Sequence, residues 1–302
     1  MKIAKKVMLF KFLGSKVKAL NSTIKYLPLF FYCIITVMKN PQLSTLNHQY
    51  KNKKDTLTPF EIYLKYSNEK EISIKQLHKI LCSLKNNSIK ILDVGSGDGS
   101  YLIESLPENS NFHVLSIEPS KSLYKKLQKN TKNFSNFKTA NQTFEEFYKH
   151  NDEKFDIVLA SHLYHFTQEE YPIFISKLIS LLSNKGTLIW IERGIDEITE
   201  FKKKFKTKLL PERYPLDWEP RNYKEALGIL KKKPGQTKLT LNRSELKLPS
   251  NDYLDEIIAI IEFYLNIDWI SIPNATQNEI LDYILSKKIL QQEEGVLIYQ
   301  KQ

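Results

Sequence analysis

Three glycines follow an acidic residue at the end of a short apolar run, in the stretch Ile89-Lys90-Ile91-Leu92-Asp93-Val94-Gly95-Ser96-Gly97-Asp98-Gly99. The apolar run predicts a buried strand of a parallel sheet. Because Gly95, Gly97 and Gly99 lack side chains, the backbone can bend sharply there and approach a ligand closely. Residues 101–106 have apolar side chains at helical spacing, so free N–H groups of a helix would point at that ligand. The stretch therefore predicts a ligand-binding turn between a strand and a helix.

Two further predicted strands end in polar residues. The strand over 112–117 is followed by Glu118, 25 residues after Asp93. An acid at that position can accept both hydroxyls of an adenosine ribose. The strand over 155–160 is followed by Ser161 and His162. Open α/β sheets bind ligands at the carboxyl ends of their strands, so these strand ends are expected to border one site.

The glycine turn, the acid after the second strand and the polar end of the later strand together resemble the class I S-adenosylmethionine-dependent methyltransferases. The resemblance implies S-adenosylmethionine as cofactor, with its methionine end at the glycine turn, its ribose at Glu118 and its methyl group facing the end of the fourth strand. The donor-binding candidates are Asp93, Gly95, Ser96, Gly97, Gly99, Glu118, Thr143 and Ser161. The alternative is a nucleotide-binding or plain α/β domain with a tight glycine turn.

Thr143 has two interpretations. The sequence Thr143-Phe144-Glu145-Glu146 has the spacing of a capping box, in which the threonine hydroxyl binds only the start of its own helix. The family resemblance instead implies adenine contacts in this loop.

Helix and strand patterns alternate from residue 89 to residue 191 and predict an α/β fold with a doubly wound, mostly parallel sheet. The family resemblance implies a Rossmann-like methyltransferase fold of seven strands, the last of them antiparallel. One helix is predicted over 58–84, ahead of the first strand. The predicted organisation is a basic N-terminal extension over 1–54, a donor-binding core over 55–200, and substrate-pocket insertions with the final strands over 201–302.

Methyl transfer from a sulfonium is an in-line displacement that needs an acceptor lone pair held behind the methyl group and a route for the released proton. His162, Tyr164 and His165 follow the fourth predicted strand and are the candidates for this acceptor side. A neutral imidazole can take the proton from an ammonium or hydroxyl acceptor. The alternative is that both histidines are ordinary loop residues.

A narrower resemblance is to the histamine N-methyltransferase-like group. Its motifs are similar to Tyr63-Leu64-Lys65-Tyr66-Ser67-Asn68-Glu69, Glu118-Pro119-Ser120 and Leu163-Tyr164-His165. In that group the acid of a Ser-x-Glu motif faces the amine acceptor, which implies this role for Glu69. This chain has Tyr164-His165 where the group has two consecutive tyrosines, and Phe201 stands near the position of the group's pocket tryptophan. The alternative for Glu69 is a solvated helix carboxylate beside two lysines.

The formal net charge of +11 comes from one end of the chain. Residues 1–54 contain eleven lysines and no Asp or Glu, so the remaining 34 basic residues balance 34 acidic ones. The uncharged run over 26–38 is shorter than the ~20 residues of a membrane-spanning helix. The segment is expected either to extend the catalytic domain as a helix or to make weak contact with an anionic membrane surface. Two cysteines and no metal-ligand spacing indicate a reducing, cytoplasmic setting without a metal site.

Three function classes follow from these patterns. The first is an enzyme, expected to be a monomer, that methylates a small-molecule acceptor at an amine nitrogen. The second is an RNA methyltransferase whose lysine runs, 202–208 and 231–233, contact phosphates. Interleaved acidic residues argue against a continuous basic groove, which disfavours nucleic acid as a partner. The third is a binding module that keeps the donor site without turnover.

Overall fold

The centre of the protein is a seven-stranded sheet. The computed structural model describes residues 57–84, 88–108, 111–163, 167, 169–216 and 219–302. Within them the strands are β1 (Ile89–Val94), β2 (Phe112–Ile117), β3 (Phe137–Ala140), β4 (Phe155–Ser161), β5 (Leu182–Arg193), β6 (Gly235–Lys247) and β7 (Ile289–Lys301). Their order across the sheet is β3-β2-β1-β4-β5-β7-β6.

Strands β1 to β5 are mutually parallel, and β7 inserts antiparallel between β5 and β6. This confirms the predicted doubly wound sheet with an antiparallel last strand. Because β7 runs in the opposite direction, its first residues lie beside the last residues of β5. Arg193, at the end of β5, is paired in register with Glu294. The start of β7 therefore belongs to the edge of the sheet at which parallel strands bind ligands.

Helices cover the sheet and extend beyond its carboxyl edge. In the described part of the chain they are α1 (Pro59–Tyr66), α2 (Glu69–Cys82), α3 (Ser100–Ser105), α4 (Lys121–Thr131), α5 (Phe144–His150), α6 (Glu170–Ser180), α7 (Glu197–Leu209), α8 (Tyr223–Leu230), α9 (Leu254–Leu265) and α10 (Asn274–Leu285). No helix in these ranges is long and apolar enough to cross a membrane.

Apolar side chains form three buried clusters. Strand β1 is buried at five of its six positions, as expected for a central strand covered on both faces. Two clusters lie against the sheet. The third joins α1 to α7, α9 and α10 around the fully buried side chains of Phe201 and Phe205. Phe201, predicted near an acceptor pocket, is thus a core residue between helices.

The helix predicted over 58–84 is two helices. Helix α1 starts at a Thr58 capping box and ends at Ser67, whose backbone is extended. Ser67 forms a β-bridge with Leu246, and the Asn68 side chain accepts a hydrogen bond of 2.7 Å from the backbone N–H of Glu245. Contact with β6, far along the chain, interrupts the helix at this point.

Three boundaries have local causes or extend the sequence patterns. Helix α4 begins at Lys121, where the Ser120 side chain caps it. Residues 183–186 are included in β5. Helices α7 and α8 fall within 193–235, for which the sequence predicts only lysine-rich runs.

Gly295 sets the packing of α8 on β7, next to the ligand-binding edge. A Cβ at this position would overlap the Tyr223 side chain of α8. Gly295→Ala should lower the free energy of unfolding by about 1–3 kcal/mol, the usual effect of overpacking a core. The matched control is Gly228→Ala, an exposed position of α8 with open space around it. That change should raise the free energy of unfolding by about 0.5–1 kcal/mol. Urea denaturation measures both, and equal stabilities for the two variants would contradict the packing argument.

Candidate active site

The glycine turn has the backbone geometry that its sequence requires. Gly95, Gly97 and Gly99 have φ values of 68°, 60° and 77°, which side-chain-bearing residues rarely adopt. The backbone N–H groups of Gly95 and Ser96 both donate to the Ile117 carbonyl, at 2.9 and 3.1 Å. The Ser96 hydroxyl donates to the same carbonyl at 3.0 Å. The turn is therefore tied to the end of β2, where the predicted ribose acid lies.

Glu118 is buried at the end of β2 and faces the turn. One carboxylate oxygen accepts from the Gly97 N–H and the other from the Ser120 N–H, both at 2.8 Å. A carboxylate oxygen can accept more than one hydrogen bond, so each retains capacity for a ribose hydroxyl. The carboxylate thus both orders the turn and offers the acceptors that the donor-binding prediction requires.

Asp93 is buried at the end of β1, and its carboxylate accepts a hydrogen bond of 3.3 Å from the Ser116 hydroxyl. Burial raises the pKa of Asp93 to about 7; the Ser116 hydrogen bond opposes that rise and the Glu118 charge adds to it. Two carboxyl groups thus meet at the glycine turn, where a donor that carries an ammonium and a sulfonium would supply positive charge.

Thr143 and Ser161 are the two remaining candidates for donor binding. The Thr143 hydroxyl accepts from the Glu146 N–H at 3.2 Å, and the Glu146 carboxylate accepts from Thr143 in return, so the capping box is formed. The N-cap interpretation of the Thr143 hydroxyl is confirmed, and adenine contact stays a prediction. Ser161 is half-buried at the end of β4.

On the acceptor side, Glu69 is a buried carboxylate and not a solvated one. It begins α2 and is 8% exposed. The Arg193 guanidinium donates to both of its oxygens, at 2.7 and 2.8 Å, and the Tyr63 hydroxyl donates to it as well. Burial alone would raise the pKa of Glu69, but the charges of Arg193 and then His162 hold it below its usual value.

His162 stands just beyond β4 in a left-handed backbone conformation with φ of 50°. Its Nε2 lies 2.8 Å from the carboxylate of Glu294, which is 1% exposed. Ser73 and Asn242 donate to the other oxygen of Glu294, at 2.8 and 2.7 Å. Burial would lower the pKa of His162, but the hydrogen bond and charge of Glu294, with the charge of Glu69, raise it above its ordinary value.

We call Glu69, His162, Arg193, Asp196 and Glu294 the acceptor-edge cluster. Ligand atoms of Glu69, His162 and Glu294 lie within 4.8 Å of one another, so two of the four predicted acceptor residues converge. Tyr164 and His165 lie outside the described residues. Carboxylates and an imidazole, as in Glu69, Glu294 and His162, can also bind a metal ion. Here both oxygens of Glu69 already accept hydrogen bonds from the Arg193 guanidinium.

Sequence reasoning missed Arg193 and Glu294. Both could have been found from the predicted topology, because an antiparallel last strand places its first residues beside the end of the fifth strand. Glu192-Arg193 and Glu293-Glu294 are the charged residues at these two positions.

The acceptor-edge cluster adjoins the glycine turn. A Cβ at Gly95 would overlap Leu163, the residue after His162. In α3, which follows the turn, the Tyr101 hydroxyl lies 2.7 Å from the Ser73 hydroxyl, and Ser73 donates to Glu294. The glycine turn and the acceptor-edge cluster therefore lie side by side at the carboxyl edge of the sheet.

Residues 91–186 match the sequence family described as Methyltransferase domain. The chain carries an S-adenosylmethionine-dependent methyltransferase domain. The matched segment runs from β1 into β5 and includes the glycine turn, Glu118 and His162. No curated protein matches the sequence.

Among the solved structures that share this fold are two proteins from Bacillus species. The YcgJ protein of Bacillus subtilis is 11% identical, with 77% of this chain and 99% of that chain covered and a TM-score of 0.53. A candidate methyltransferase from Bacillus halodurans is 14% identical, with 76% and 98% covered and a TM-score of 0.51. The resemblance to the histamine N-methyltransferase-like group stays a prediction from the sequence.

The first test of the donor site is Glu118→Ala. Loss of a hydrogen bond to a charged group costs about 1.5–3 kcal/mol, so affinity for S-adenosylmethionine should fall by about tenfold or more. Calorimetric titration measures it, with Glu104→Ala as control because Glu104 is an exposed carboxylate paired with Lys70. Equal affinity in Glu118→Ala and wild type would contradict the assignment of the ribose acid.

A second test uses the raised pKa of Asp93. The folded protein keeps this proton up to pH of about 7, whereas the unfolded chain loses it near 3.8. Between these values unfolding releases a proton, so stability falls as pH rises, by up to about 1.4 kcal/mol per pH unit. Asp93→Asn should remove this slope from the donor-free protein and make it more stable than wild type at pH 8. Parallel pH profiles of urea denaturation for the two proteins would contradict the burial argument.

Proposed function

We propose that this methyltransferase acts on a small-molecule acceptor and transfers the methyl group to an amine nitrogen. The observation that carries the proposal is the charge of the acceptor-edge cluster. The cluster holds three carboxylates, Glu69, Asp196 and Glu294, and one permanent cation, Arg193. Two negative charges are in excess when His162 is neutral and one when it is protonated.

This excess favours a cationic acceptor. An amine arrives mostly as an ammonium ion and must approach a sulfonium, which also carries positive charge. Repulsion between the two cations is reduced where buried carboxylates lie close to both. An ammonium ion bound at one of these carboxylates would also donate a charge-assisted hydrogen bond to it.

Glu294 is better suited than Glu69 to hold the ammonium ion. Glu69 is neutralised by two bonds from Arg193, whereas Glu294 accepts from neutral Ser73 and Asn242. His162 shares the second oxygen of Glu294. We therefore assign acceptor binding to Glu294, with Glu69 as the residue that positions Arg193.

His162 is the candidate proton acceptor. The ammonium ion must lose a proton before its nitrogen lone pair can attack the methyl group, and a neutral imidazole next to the ammonium can receive it. The charge of Glu294 then stabilises the imidazolium that forms. Tyr164 and His165 stay predicted members of this side of the site.

The lysine run in α7 supports a small acceptor over RNA. Lys203 pairs with Glu219, and both Lys204 and Lys208 pair with Glu279. Neutralised lysines attract phosphates less strongly than a continuous basic groove would.

The direct test is a screen with isotopically labelled S-adenosylmethionine. Acceptor sets should share one carbon skeleton and differ in carrying an amine, a hydroxyl or a carboxyl group, with an RNA oligonucleotide alongside. Mass spectrometry should detect label on nitrogen of the amines. Label confined to hydroxyl, carboxyl or RNA would contradict the proposal.

Glu294→Gln tests acceptor binding. Removing the charge from this partner should raise the KM for an amine by about tenfold or more, since a charged hydrogen bond contributes about 1.5–3 kcal/mol. The affinity for S-adenosylmethionine should stay close to that of wild type. Glu293→Gln is the matched control, because the Glu293 side chain accepts from Tyr223 and only its backbone N–H contacts the cluster, at Asp196. A KM equal in both variants would contradict this role for Glu294.

The pH dependence of kcat tests His162. Since the reaction needs the neutral imidazole and the pKa of His162 is raised, kcat should increase with pH through a midpoint above 6.5. In Glu294→Gln the hydrogen bond and charge that raise this pKa are lost while burial still lowers it, so the midpoint should move to lower pH. An unchanged midpoint would show that another group titrates.

A further inference from the structure

Helix α7 carries its lysines on two faces that differ in ion pairing. On the outer face, Lys203, Lys204 and Lys208 pair with Glu219 or Glu279. Lys202 and Lys206 are one helical turn apart, so they share another face. Both are half-buried.

These two amines and a nearby guanidinium lie against aromatic rings. Lys202 Nζ is 5.4 Å from the centre of the Tyr264 ring, and Lys206 Nζ is 5.1 Å from that of Tyr214. Arg213 Cζ is 5.5 Å from the same Tyr214 ring. In the described ranges, none of the three cations has a carboxylate within ion-pair distance. The other lysines of this run, Lys203, Lys204 and Lys208, each have one.

The pKa values of Lys202 and Lys206 show that their charged forms are disfavoured in this environment. Burial, with the charges of Arg193 and Lys206, lowers the pKa of Lys202 to about 7, although Asp196 and Glu69 act in the opposite direction. Burial and the charge of Arg213 lower that of Lys206 to about 8. Cations removed from water without a counter-ion are unfavourable, and an anion placed among them would relieve the cost.

This basic patch, defined by Lys202, Lys206 and Arg213, starts close to the acceptor-edge cluster. Asp196 caps α7 and accepts a hydrogen bond of 3.1 Å from Arg193. Lys202 follows six residues later, which is roughly 9 Å along a helix axis. The charges of Asp196 and Glu69 also act on Lys202, so the two regions are close in space and their spacing is within the length of a small molecule.

We propose that the basic patch binds an anionic group, a carboxylate or a phosphate, carried by the methyl acceptor. The acceptor would then be a small zwitterion, with its amine at Glu294 and its anionic group between Lys202, Lys206 and Arg213. The assignment of the amine end rests on the proposed function, whereas anion binding by the patch does not.

The patch is tested without methyl transfer by labelling with pyridoxal 5′-phosphate. Its aldehyde condenses with a neutral lysine amine to an imine and water, and borohydride reduces the imine to a stable secondary amine. At pH 7 roughly half of an amine with a pKa near 7 is neutral, against about one in a thousand or fewer for an ordinary lysine. Peptide mass spectrometry should find Lys202 labelled at least about tenfold more than Lys203.

Anion recognition is read from two comparisons. Pyridoxal, which lacks the phosphate, should label Lys202 less than pyridoxal 5′-phosphate does, and an added anion should protect Lys202 and leave Lys203 unaffected. Protection by inorganic phosphate and not acetate indicates a phosphate on the acceptor, and the reverse indicates a carboxylate. Equal labelling by both reagents with no protection by either anion would overturn the proposal.

Kinetics then connect the patch to the acceptor. For an amine that carries the anionic group, Lys202→Gln should raise KM by about tenfold, and Lys202→Arg should restore most of it because the charge returns. Lys203→Gln is the matched control and should change nothing. For an amine lacking the anionic group, Lys202→Gln should raise KM by less than it does for the amine that carries the group. If anions protect Lys202 but no amine is methylated, the proposed function fails and the anion site stands.

Discussion

The acceptor side of this protein depends on one buried ion pair, between Glu69 and Arg193. It joins the start of α2 to the end of β5, so a helix that precedes the sheet in sequence is fixed over the sheet's carboxyl edge. Neither charge is stable there alone, because removing one partner leaves an uncompensated charge in a low-dielectric environment. The same pair fixes Asp196 at the start of α7 through Arg193. Placement of both helices, and of the lysines on α7, follows from it.

The ion pair also decides how charge is distributed across the site. With Glu69 paired with Arg193, Glu294 is the second buried carboxylate of the cluster, and its hydrogen-bond partners are Ser73, Asn242 and His162 instead of a guanidinium. Farther along α7 the balance reverses, since no carboxylate of the described ranges lies within ion-pair distance of Lys202 or Lys206. Under the proposed function, this acidic region and a basic region that begins roughly 9 Å along α7 from Asp196 would together select for a molecule with charges of both signs.

Local patterns were enough to predict the strand, the glycine turn and the placement of Glu118 beside that turn. The apolar run, the three glycines and Glu118 lie within 30 residues, and their geometry is set by strand–turn–helix rules that operate at short range. The acceptor half depends on contacts between distant segments. Asn68 and Ser67 meet β6, which divides a helix that periodicity alone predicts as continuous. Glu69 has lysine neighbours in sequence and yet is buried, because it pairs with the Arg193 guanidinium. The sequence around Glu69 does not show this pair, since Arg193 lies 124 residues away.

The most direct test of this account is a double-mutant cycle on the ion pair, with urea denaturation of wild type, Glu69→Gln, Arg193→Met and the double variant. Each single change should destabilise the protein by about 3–5 kcal/mol, because it leaves the other charge buried and unpaired. The double variant should be more stable than the sum of the single effects, with a coupling of about 2 kcal/mol or more. Additivity within about 0.5 kcal/mol would show that the two charges are independent and would contradict the account.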